Sequence, residues 1–101
     1  MAGRSGCRGV NPSEVWQFAD GSRRLVLSPG TYNASALNRV ITAVVGEPPE
    51  GFDPFAVSTG LGTVYADRIA MHPRHWLVRS AGTVATDAMT EVRTHLRFLV
   101  G

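Results

Sequence analysis

Hydrophobic and polar positions alternate in short bursts along most of this chain and change period only near its C-terminus. Glu14-Val15-Trp16-Gln17-Phe18 is a β-type run carrying two aromatic residues and one β-branched residue. Asp20-Gly21, inside Ala19-Asp20-Gly21-Ser22, is a strong hairpin signal, so Arg23 to Ser28 reads as the partner strand, closed by Pro29-Gly30. One turn of helix is expected between Thr31 and Leu37, with Asn33 or Ser35 available for capping. Arg39 to Val45 is the most β-like segment and reads as a central strand. Gly46 to Gly51 is a loop, because its paired prolines offer no ladder donors. Phe55 to Ser58 and Thr63 to Ala66 read as two more strands, and Ile69 to Met71 and Trp76 to Val84 as the last extended pieces, around Pro73. From Asp87 onward Met89, Val92, Leu96 and Leu99 form the stripe of an amphipathic helix. Thr86 is the expected N-cap, and Arg93 and Arg97 fall in the later turns that favour positive charge. Short strands joined by Gly/Pro turns predict a mainly β fold, a strongly bent antiparallel sheet or barrel with one C-terminal helix.

A length of 101 residues allows one modest core and excludes a two-domain enzyme. Residues 1–12 are polar and Gly-rich and read as a flexible leader. No apolar run approaches the ~18 residues of a membrane span, and no basic-then-apolar segment opens the chain. The single cysteine, Cys7, has no partner for an internal disulfide. The expected setting is cytoplasmic, with no membrane partner. The formal charge is +2, too weak alone to argue for nucleic-acid binding. Every basic residue is arginine, which is read as the codon bias of a GC-rich genome.

Most candidate chemistry reads as ordinary structure. His72 and His75 flank Pro73 and lack further ligands, so they are taken as loop histidines; no metal and no cofactor are expected. His95 reads as a helix flank. Gly60-Leu61-Gly62 is followed by neither Gly-Lys-Ser/Thr nor a helix, and is not a phosphate cradle. Asn33-Ala34-Ser35 is a glycosylation sequon without a secretion signal. Glu47, Glu50 and Asp53 make an acidic loop that reads as a solvated turn. Arg23-Arg24 is different. The pair opens a strand just after a tight turn, so alternation sends the two side chains to opposite faces. An arginine at a sheet edge can grip a phosphate through two donors and stabilise charge developing on it.

Four stretches in order give the chain a family resemblance. Glu14-Val15-Trp16, then Leu25-Val26-Leu27-Ser28-Pro29 with Tyr32-Asn33, then Pro54-Phe55-Ala56-Val57, then Gly62 to Ile69 (GTVYADRI) resemble the MazF/PemK toxins of toxin–antitoxin systems. Gly82-Thr83-Val84 and the closing helix also fit. The resemblance implies a single SH3-like barrel of the CcdB/MazF kind over residues 13–101 and a homodimer. It implies metal-independent, sequence-selective cleavage of single-stranded RNA, held in check by an antitoxin with an acidic C-terminal segment. The family's catalytic arginine maps to Arg24, which parity with Ser28 puts on the catalytic side, or to Arg23; the proline that follows it in the family is missing. The family's catalytic hydroxyl falls in Val45-Gly46-Glu47, which has none, leaving Ser22 and Thr42 as candidates. Trp16, Arg23, Arg24 and Glu47 are the implied RNA contacts. The long first loop of the family shrinks here to Ala19-Asp20-Gly21-Ser22. These departures leave a second reading, a non-catalytic binding protein or a CcdB-like poison of DNA gyrase.

Overall fold

Asp20 fixes the first corner. Its carboxylate accepts hydrogen bonds from the backbone N–H of Ser22 (2.9 Å) and from the Ser22 hydroxyl (2.6 Å). Gly21 sits at a φ of 90°, a backbone conformation that side chains disfavour. This turn joins strand β1 (Glu14–Phe18) to β2 (Arg23–Val26), as the Asp-Gly signal predicts. The computed structural model describes residues 10–33 and 38–100. Cys7 with the rest of residues 1–9, and the expected helix continuation over residues 34–37 with Ala34 and Ser35 of the sequon, lie outside the described residues.

A short helix, α1 (Gly30–Asn33), precedes β3 (Arg39–Gly46), β4 (Ala56–Thr59) and β5 (Gly62–Pro73). A 3-10 helical turn (Arg74–Trp76) leads to β6 (Leu77–Thr83) and then to α2 (Thr86–Val100). The six strands form one antiparallel sheet in the order β4-β5-β3-β2-β1-β6. The mainly β architecture with a C-terminal helix is thus the one expected, and β3 lies inside the sheet.

Several boundaries differ from the sequence reading. Thr63–Ala66 and Ile69–Met71 belong to one strand, β5, rather than two. The register against β3 jumps from Ala43↔Ile69 to Val44↔Tyr65, so a bulge bends β5 without ending it. Phe55 precedes β4 rather than opening it, and β2 stops at Val26 rather than Ser28. Thr86 is the first helical residue, not the cap: the Ala85 carbonyl accepts the first helical hydrogen bond, from Met89 N–H at 3.0 Å. Of the helical stripe, Met89 and Val92 are buried and Leu96 is partly buried, but Leu99 is 42% exposed as the helix runs past the sheet.

Alternation gives the sheet two unlike faces. One carries Val15, Leu25, Ala43, Val45, Val57 and Val64, which pack under Met89 and Val92 of α2. Opposite lies a smaller cluster of Val10, Val26 and Val40, flanked by Trp16 and Leu77. Val10, assigned to the leader by composition, is therefore packed. A buried polar lock holds this end. Ser28 Oγ donates to Asn33 Oδ1 and accepts from Ile41 N–H (3.0 Å), while Asn33 Nδ2 donates to the carbonyls of Ser28 (3.0 Å) and Val10. Arg74 reaches the Asn33 carbonyl from across the sheet at 2.9 Å.

Candidate functional site

Register decides which candidate residues meet. Trp16 stands opposite Arg24, Arg24 opposite Val44, Val26 opposite Thr42, and Val40 opposite His72. Residues paired this way share a face, so Trp16, Arg24, Thr42 and His72 all lie on the face away from α2. Arg23 points the other way, as alternation predicts.

Arg24 is half-buried, with its guanidinium carbon 5.5 Å from the centre of the Phe18 ring. His72 meets the same ring edge-on at 5.0 Å and lies 5.8 Å from the ring of Trp76. Arg24 Nε, Thr42 Oγ1 and His72 Nε2 are buried and make no hydrogen bond, the three such side-chain atoms among the described residues. Buried polar atoms in native proteins are nearly always paired, because each orphan costs about 1–3 kcal/mol. Three of them lie on one face, one from each of β2, β3 and β5. Burial holds the His72 pKa below its ordinary 6.5, and the nearby Arg24 charge lowers it further, so the imidazole is neutral at neutral pH.

Trp16 borders this face, and its indole N–H donates to Glu14 Oε1 at 2.9 Å. The other candidates gather elsewhere. Arg23, Ser22 and Glu47 line a cavity of about 500 Å³ together with Gly46, Ser58 and Thr63. Arg23 is exposed there and its guanidinium donates to the Leu61 carbonyl at 3.5 Å. The Ser22 hydroxyl donates to Asp20, and the Glu47 carbonyl accepts from the Tyr65 hydroxyl. The candidates therefore divide into an aromatic-walled polar face and an open cleft of mixed charge.

His72 is the member that sequence reasoning assigned to a loop. Pro73 suggested a break, yet proline is tolerated at the end of a strand, and β5 runs through to it. The usable signal was alternation: His72 is in step with Ala70, and Ile69 with Met71. Gly60-Leu61-Gly62 forms the β4–β5 turn, where Thr59 Oγ1 accepts from Leu61 N–H (3.0 Å) and donates to the Gly62 carbonyl (2.6 Å).

The fold is similar to that of solved MazF structures. A MazE–MazF complex from Deinococcus radiodurans superposes with a TM-score of 0.82 at 24% identity, over 93% of this chain and 98% of that one. An endoribonuclease from a mycobacterial species gives 0.80 at 20% identity over 93% of both chains. A mycobacterial endoribonuclease in complex with its cognate antitoxin gives 0.79 at 21% identity, over 91% of this chain and 95% of that one. No protein-family model matches the sequence, and no curated protein matches it. Among the described residues no helix is long and apolar enough to cross a membrane.

Proposed function

We propose that this chain is the toxin half of a toxin–antitoxin pair, acting in the cytoplasm as an endoribonuclease on single-stranded RNA. The observation that carries the reading is Arg24 Nε and the Thr42 hydroxyl on one face, both buried and without a hydrogen-bond partner among the described residues, on a MazF-type sheet. In such a reaction the RNA 2′-hydroxyl attacks the adjacent phosphorus, so the nucleophile comes from the substrate and no metal is required to generate one. Arg24 offers donors to the charge growing on the phosphoryl oxygens, and the Thr42 hydroxyl supplies a further donor. Trp16 provides a surface on which a base can stack. Arg23 and Glu47 contact the RNA from the neighbouring cleft, and pairing a cation with a carboxylate there gives the means to select sequence.

The working unit is a homodimer. Ile69, Val78 and Phe98 are large apolar side chains left exposed on a small domain, and an isologous pairing is the economical way to cover them. The partner that silences the toxin is an antitoxin whose acidic segment competes for the arginine face, as the MazE–MazF and antitoxin-bound neighbours suggest. The test is to incubate purified protein with a long RNA in EDTA and map the cut ends, with light scattering for the oligomer. Discrete cuts at a recurring sequence by a dimer are expected. Growth arrest without any RNA cutting would overturn the nuclease and favour the gyrase-poison reading; a strict monomer would overturn the dimer.

A further inference from the structure

The Arg24 face needs a group that can exchange a proton, and of the three side chains on it that hold a buried polar atom without a partner among the described residues, only one can do so near neutral pH. A guanidinium stays charged well beyond the physiological range, and a threonine hydroxyl does not ionise. Imidazole does both jobs, acceptor when neutral and donor when protonated. We propose, resting on the ribonuclease reading above, that His72 is a catalytic residue that takes the proton from the attacking 2′-hydroxyl of RNA.

Three observations carry this. Nε2 of His72 is buried and has no hydrogen-bond partner among the described residues, so its ring is not committed to a structural hydrogen bond with them. Phe18 is wedged against both His72, at 5.0 Å between ring centres, and Arg24, at 5.5 Å, so base and phosphate-binding cation flank one aromatic wall. Trp76 stands 5.8 Å from the imidazole with 47% of its surface exposed, a stacking surface for a base beside the cut. The elements packed against His72 present Phe18 from β1, Val40 from β3, Trp76 from the 3-10 turn and the guanidinium of Arg24 from β2; the last is the charged group acting on it. Arg24 also opposes protonation of the free imidazole, which keeps it in the accepting state.

The step balances without a co-reactant. The 2′-hydroxyl proton passes to the imidazole as the O2′–phosphorus bond forms. The phosphorus–O5′ bond breaks, the departing 5′-oxygen takes a proton from water, and the imidazolium returns its proton to solvent. A 2′,3′-cyclic phosphate and a free 5′-hydroxyl remain.

The experiment is single-turnover cleavage of RNA in EDTA by the wild type and by His72→Gln and His72→Phe, each as a function of pH, with circular dichroism to show that each is folded. His72→Phe keeps an aromatic ring between Phe18 and Trp76. The expected result is a loss of about 10²–10⁴-fold in rate for both variants and disappearance of the acidic limb of the pH profile. A folded His72→Phe that cuts at the wild-type rate with the limb intact overturns the proposal and leaves the nuclease standing. A wild type that cuts no RNA overturns the nuclease reading and this proposal with it. Should neither variant fold, NMR titration of His72 in the wild type, with and without a 2′-deoxy substrate analogue, decides the matter. Binding is expected to move the titration midpoint of His72, and an unmoved midpoint in the bound complex overturns the proposal.

Discussion

Truncating Arg24 to alanine removes charge-assisted donors whose partner, in the proposed reaction, gains its charge on the way to the transition state. Cleavage should fall by about 10²–10³-fold, or about 2.7–4 kcal/mol, with the effect in kcat rather than KM. Arg24→Lys should recover little of it, since an ammonium cannot reproduce the planar fork. Arg23→Ala should leave kcat close to wild type, because Arg23 faces the cleft beside Glu47 rather than Thr42 and His72. Steady-state kinetics on one defined RNA checks all three. The opposite facing of the two arginines is legible in the sequence, because a strand has a period of two and needs no tertiary information. His72 is not legible in that way. Its meaning comes from Phe18, more than fifty residues away in the chain, and from a bend in β5 that no local pattern announces.

At the level of elements, the Ser28–Asn33 lock explains why the Ser-Pro and Tyr-Asn pieces of the sequence belong together. Asn33 is completely buried and ties α1 to the carbonyls of Ser28 and Val10, while Ser28 Oγ receives the N–H of Ile41 on β3. Asn33→Ala should destabilise the fold by about 1–3 kcal/mol for each buried carbonyl left unpaired, measured as a drop in the urea midpoint. Leu25→Ala, in the core under α2, should cost about 2–5 kcal/mol through lost transfer energy and the cavity left behind. The capping role expected of Asn33 missed this long-range use of its side chain, because hydrogen-bond partners on other elements leave no local trace. The helix α2 is the opposite case. Its apolar stripe identifies it from residue spacing alone, and only its last turn departs from the burial that the stripe implies.

For the whole molecule, acidity weakens the fold through two groups. The His72 pKa is depressed in the folded state, so the unfolded chain takes up its proton first as pH falls. The stability that follows from this is complete above the ordinary 6.5 and is lost as pH drops from there toward the folded value. The exposed Asp20 carboxylate, held below 3.8 by its hydrogen bonds from Ser22, adds a smaller loss at lower pH. Urea midpoints across this range should fall with acidification, and His72→Phe should remove the upper part of the decline.

Strand β1 lies between β2, which follows it at once, and β6, which ends at Thr83. On the ribosome the first strand made must therefore wait for nearly the last before its outer edge is covered. Arg24 meets Phe18 within the β1–β2 hairpin, whereas His72 reaches Phe18 only after β5 has docked on β3. A growing chain consequently holds the arginine and its aromatic wall early and gains the imidazole later. The face proposed to act on RNA is therefore completed by the arrival of β5, the strand that carries its histidine, and not by the hairpin that holds its arginine.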